Sequence, residues 1–115
     1  MPDRRTFVAL RASGIRVRRG PLSATYLAVD GDGATQVAYA ITKRVGGAVE
    51  RNRLRRRLRA VFADLAREGR GAVPEGVLLV SAGPEASDRD PEELRNDVKR
   101  LLAALETRRI GGEAP

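Results

Sequence analysis

Cysteine and histidine are both absent from these 115 residues. Without Cys there is no disulfide and no thiolate metal site, and without His the commonest acid–base group and the commonest zinc ligand are gone. No catalytic residue and no protein-bound metal is therefore assigned. Tryptophan is also missing and aromatics make up only 3% of the chain, so a core must be assembled from Val, Leu, Ile and Ala. No apolar run approaches the roughly 18 to 20 residues that cross a bilayer, and the opening MPDRRTF carries no hydrophobic targeting segment. The expected compartment is the cytoplasm, with no membrane partner and no obligatory protein partner evident.

What is present is arginine. The net charge is +7, and it is unevenly placed. Residues 43 to 59 hold eight basic side chains against the single acid Glu50, whereas residues 60 to 115 hold eight basic and eleven acidic ones. A merely solvated helix face mixes signs. This one does not, and a block of unbalanced cations is the electrostatic footprint of a polyanion binder, since each neutralised phosphate releases condensed counterions.

The apolar pattern predicts one domain over residues 1–107 and a disordered tail over 108–115. Asp3 to Gly14 reads as a short helix with a thin Phe7/Leu10 stripe. IRVRRGP suggests a short edge strand with Arg16 and Arg18 on its open face. Leu22 to Val29 and Val37 to Thr42 read as strands joined into a hairpin by the long turn segment DGDGATQ. From about Ala48, Leu54, Leu58, Val61, Phe62 and Leu65 recur at helical spacing, with Asn52, Arg56 and Arg59 opposite them and Arg53, Arg55 and Arg57 at the flanks. Gly69, Gly71 and Pro74 end that helix. Gly76 to Gly83 is apolar enough for a strand buried on both sides. Asp90, Pro91 and Glu93 start a final helix with the stripe Leu94, Val98, Leu101, Leu102 and Leu105. The order α-β-β-β-α-β-α implies an α+β two-layer sandwich on a small, mostly antiparallel sheet.

Gly46 and Gly47 precede the basic helix, where free backbone N–H groups and the helix dipole favour an anion. Arg51 and Arg53 flank Asn52: guanidinium grips phosphate in two prongs, and the amide donates and accepts at once, as a ribose hydroxyl or a metal-bound water requires. Two roles are open for Arg51, a stem covering the first turn of the core or a direct RNA contact. Glu50 either starts the helix or orders an arginine.

The run ITKRVGGAVERNRLRRRLRAVF resembles the signature of the bacterial ribonuclease P protein component. Thr42, Lys43, Arg44, Val45, Gly46, Ala48, Val49, Arg51, Asn52 and Arg53 match it in order. Weaker similarity runs through Phe7 to Gly14, Tyr26, Val77 to Val80 and the final helix. The resemblance implies the protein subunit of a ribonucleoprotein endonuclease that removes 5′ leaders from precursor tRNA, with hydrolysis performed by the RNA subunit through bound magnesium. It further implies that Lys43, Arg44, Arg51, Asn52, Arg53, Arg55, Arg56 and Arg59 face the catalytic RNA. Phe7, Arg16, Arg18 and Tyr26 would line a cleft for the single-stranded leader, with core packing the rival role for the two aromatics. A left-handed crossover around the basic helix is also implied, against the usual hand. Against the family pattern, the chain starts almost at its first helix, and Arg11 stands where a second aromatic is common; both differences touch the leader cleft. Charge and patterning by themselves fit a ribosomal or other structural-RNA binding protein of related fold equally well.

Overall fold

A computed structural model describes residues 14–28, 35–68 and 76–110. The helix expected over Asp3 to Gly14, up to residue 13, the DGDG turn, Gly69, Gly71 and Pro74 lie outside the described residues. Four strands, β1 (Ile15–Arg19), β2 (Leu22–Leu27), β3 (Thr35–Ala40) and β4 (Gly76–Ala82), form one sheet in the order β1-β2-β4-β3. Two long helices, α1 (Ala48–Arg67) and α2 (Pro91–Ile110), pack with it, and a 3-10 turn (Pro84–Asp88) leads into the second.

The expected β2–β3 hairpin is not formed. β4 lies between the two, antiparallel to β2 and parallel to β3. Burial explains the insertion: Val77, Leu78 and Val80 are buried, and a central position satisfies both backbone edges of the most apolar strand. Leu79 on the other face is only partly buried, so burial on the two sides is unequal. β3 begins at Thr35 and ends at Ala40, earlier than expected, because Ile41 and Thr42 turn out of the sheet and Val45 N donates to Thr42 O at 3.1 Å.

β1 and β2 do form a hairpin, with Arg19 opposite Leu22 and Gly20 at φ +57 in the two-residue loop. Period-two alternation sorts the sheet's faces. Val17, Leu22, Ala24, Tyr26, Leu78 and Val80 point into the core, while Arg16, Arg18, Ser23 and Thr25 point the other way. Both helical stripes land on that core face, and all ten of the stripe residues named from the sequence are buried.

The final helix starts as its sequence demands. Glu93 N donates to Asp90 Oδ1 at 2.8 Å and Asp90 N donates to Glu93 Oε1 at 3.0 Å, a reciprocal cap. The helix continues through Arg108 and Arg109 to Ile110, past the boundary expected at 107. Arg108 Nη1 reaches Arg16 O at 3.0 Å, which ties this last turn to the β1 edge.

One buried charge escaped the sequence reading. Asp97 on α2 is 1% exposed, with Arg89 Nε 3.2 Å from Oδ2 and Arg100 Nη2 2.7 Å from Oδ1. It lies at the margin of the Leu94/Val98/Leu101 stripe, close to the Gly20 turn, where a Cβ would sit 3.3 Å from Oδ1. Removing one member of a buried pair strands the other, at a cost of about 3 to 5 kcal/mol. Arg100 is largely exposed, so the lower end applies. Asp97→Ala is expected to lower unfolding free energy by about 3 kcal/mol, measured by urea denaturation; a change under about 1 kcal/mol would reduce the cluster to a surface ion pair.

Candidate nucleic-acid interface

The basic segment begins where β3 ends. Thr42 to Gly46 make a tight loop, with Gly46 N donating to Lys43 O at 3.2 Å and Arg44 N to Thr42 Oγ1 at 3.4 Å. Buried Val45 pins that loop to the core, and Lys43 and Arg44 just before it are exposed. Gly46 has φ +153, and a Cβ there would lie 3.0 Å from Glu50 Cβ, so only glycine fits. Glu50 accepts from Gly47 N at 2.9 Å and is a helix-start residue.

The buried stripe fixes the roll of α1, and the roll sets where every cation points. Asn52, Arg53, Arg56 and Arg59 are exposed, whereas Arg51, Arg55 and Arg57 are half-buried. The half-buried guanidiniums are braced by neutral acceptors. Arg51 Nε lies 3.4 Å from Gly47 O, so its stem covers the first turn. Arg55 donates to Asn52 Oδ1 at 2.9 Å and to Ile41 O at 3.5 Å, while Arg57 donates to Arg89 O at 3.2 Å. Asn52 is exposed, and with its Oδ1 engaged by Arg55 the amide nitrogen is the part left to donate. Arg59 stacks over Tyr39, 5.9 Å from the ring centroid, and Tyr39 meets Phe62 edge-to-face at 6.2 Å between centroids.

The carboxylates are elsewhere. Among the described residues the ion pairs join Asp64 to Arg67, Glu68 to Arg95, Glu93 and Asp97 to Arg89, Asp97 to Arg100, and Glu106 to Arg109. None involves a cation between residues 43 and 59. Lys43, Arg44, Arg51, Arg53, Arg55, Arg56, Arg57 and Arg59 thus form a cationic set with no ion pair among the described residues, and Arg51, Arg55 and Arg57 within it are braced by neutral acceptors. A phosphodiester backbone supplies the acceptors such a surface lacks. No group of three or more His, Cys, Asp or Glu side chains that could hold a metal ion occurs among the described residues.

The expected leader-binding residues separate. Arg16 and Arg18 are exposed on the open sheet face and line a groove with Ser23, Ala40, Thr42 and Arg44. Tyr26 is 4% exposed and paired with Leu78 in the core, so its ring offers no face for a base. Its place on the inward set of β2 decides this. Phe7 lies outside the described residues. Two features of the interface were not read from the sequence: the Tyr39–Arg59–Phe62 stack and the carbonyl bracing of Arg55 and Arg57. The i, i+3 spacing of Arg59 and Phe62 was a visible signal; the approach of β3 was not.

Comparison with known proteins gives a consistent result. The family model for ribonuclease P matches residues 1–106. A ribonuclease P protein component from Thermus thermophilus is 42% identical over 67 residues, 58% of this chain and 37% of that protein. One from Streptomyces avermitilis is 41% identical over 81 residues, 70% of this chain and 59% of its own length. The chain therefore aligns with less than two thirds of the length of these relatives. The solved RNase P protein of Staphylococcus aureus superposes with a TM-score of 0.80 at 17% identity, covering 92% of this chain and 94% of that one. That of Thermotoga maritima gives 0.72 at 22% identity, covering 88% and 92%.

Burial raises the ionisation of the Tyr39 phenol above the ordinary 10.0, and the Arg59 charge partly opposes the shift. Difference titration of wild type against Tyr39→Phe by ultraviolet absorbance is expected to show Tyr39 ionising above 10.0, and later still in Arg59→Gln. Because this folded-state value is raised, the phenol's contribution to stability is intact below its unfolded value and is lost as pH climbs through the folded one. An unshifted Tyr39 would place its phenol in solvent, and identical titration of wild type and Arg59→Gln would place Arg59 away from the ring.

Proposed function

This chain belongs to the ribonuclease P protein family, and on that premise we propose that it is the protein subunit of a ribonucleoprotein endonuclease that matures the 5′ end of precursor tRNA. One observation carries the reading: the cations of residues 43–59 have no ion-pair partner among the described residues, while the described cations that follow them are largely paired. The groove on the open sheet face, lined by Arg16, Arg18 and Ser23, meets that surface at Arg44, and in this reading it seats a second RNA segment.

In this reading Lys43, Arg44, Arg51, Arg53, Arg55, Arg56 and Arg59 hold phosphates of the catalytic RNA, and Asn52 donates to a ribose or phosphate oxygen. Arg55 and Arg59, already braced, lose little freedom on binding, which favours affinity. Arg16 and Arg18, with the hydroxyls of Ser23 and Thr42, line the path of the single-stranded leader. Magnesium, held by the RNA, supplies the charge that activates water at the scissile phosphate. The protein's task is to lower repulsion between RNA segments so that they approach one another. No helix among the described residues is long and apolar enough to cross a membrane, and the cytoplasm, where precursor tRNA is made, is the compartment proposed.

The decisive experiment is reconstitution with a bacterial ribonuclease P RNA and a precursor tRNA at limiting magnesium. Protein and RNA together are expected to release the 5′ leader, and protein alone to release none; cleavage by RNA-free protein would overturn the division of labour. Arg51→Ala/Arg53→Ala is expected to lower holoenzyme activity on the order of tenfold at limiting magnesium with helix content unchanged by circular dichroism. Binding to the RNA should fall with log salt at a slope of about −4 to −6, as for roughly six neutralised phosphates. A flat response would remove the electrostatic basis.

A further inference from the structure

Val49 is the large hydrophobic side chain left in the open among the described residues, at 66% exposure. It stands at the second position of α1, with Asn52, Arg53 and Arg56 at i+3, i+4 and i+7, so it shares one side of the helix with them. Among the described residues nothing asks for valine there. The cap is made by Glu50 and Gly47, and the residue before that cap is Gly46, which has no side chain with which to clamp the turn. A β-branched side chain is a poorer helix former than Ala, and apolar surface in water is unfavourable. Alanine or glutamate would serve the isolated protein better.

An apolar group amid guanidiniums is favourable once something apolar covers it. The A-form minor groove is wide and shallow, and it shows ribose C–H surface beside 2′-hydroxyls, with phosphates along its rim. A helix turn carrying Val49, the Asn52 amide and the Arg53 and Arg56 guanidiniums on one face presents a match for each of those groups. We infer that Val49 is an RNA-contact residue, seated against ribose surface of the strand whose phosphates Arg53 and Arg56 hold. This rests on the proposal that α1 faces the catalytic RNA. Apolar burial releases no counterions, so the Val49 contribution to binding is independent of salt, unlike that of its neighbours.

The test compares Val49→Thr, Val49→Ala and Arg53→Ala in the full chain, titrated against a bacterial ribonuclease P RNA from low to high salt. Val49→Thr keeps shape and charge and replaces one methyl by a hydroxyl. Both Val49 variants are expected to bind about three- to tenfold more weakly at every salt concentration, with unchanged slope. Their thermal midpoints should match or exceed the wild type. Arg53→Ala should make the slope shallower by about one. Weakened binding by Arg53→Ala with wild-type binding by Val49→Thr overturns this inference and leaves the RNA face of α1 standing. Wild-type binding by all three overturns both. A Val49 loss that tracks a fall in thermal midpoint assigns the residue to the fold instead.

Discussion

Mutual repulsion among the guanidiniums of one helix is the constraint around which the rest of this molecule is arranged. Like charges three and four residues apart each destabilise a helix by roughly 0.2 to 0.5 kcal/mol, and α1 carries several such pairs in its first three turns. The helix persists because Leu54, Leu58, Val61, Phe62 and Leu65 are buried against the sheet and α2. Tertiary packing, more than helix propensity, holds it in place. Internal carboxylates could have relieved the repulsion, but the described ion pairs use them on other arginines. The repulsion that remains is the attraction offered to a phosphate backbone.

Bracing by neutral acceptors reconciles order with availability. A backbone carbonyl or an amide oxygen can orient a guanidinium without cancelling its charge, as Ile41 O and Asn52 Oδ1 do for Arg55 and Arg89 O does for Arg57. Tyr39 does the same for Arg59 through its ring face. The carbonyl of Arg89 belongs to the residue whose side chain meets buried Asp97, so the charge cluster under α2 and the cationic face of α1 share a support.

Much of this was legible in advance. Both apolar stripes, the Asp90–Glu93 cap and the outward Arg16 and Arg18 follow from period and residue type, which are local properties. The failures were non-local. Leu22–Leu27 and Thr35–Ala40 are adjacent strands in the chain and carry turn residues between them, yet the more apolar β4 takes the place between them. Tyr26 and Tyr39 are both strand tyrosines. One is committed to the core and the other to an arginine, because they sit at different positions in the sheet. Asp97 looked like an ordinary helix acid until Arg89 and the Gly20 turn closed over it.

The sequence by itself determined the balance of charge, the spacing that places apolar and basic residues on different sides of α1, and the signature of the family, since each is a matter of residue order along a helix of fixed pitch. Only the tertiary structure decided which acids and bases meet. That pairing, which depends on strand order and on the roll of each helix, is what left the cations of residues 43–59 without a carboxylate and Val49 in the open among them.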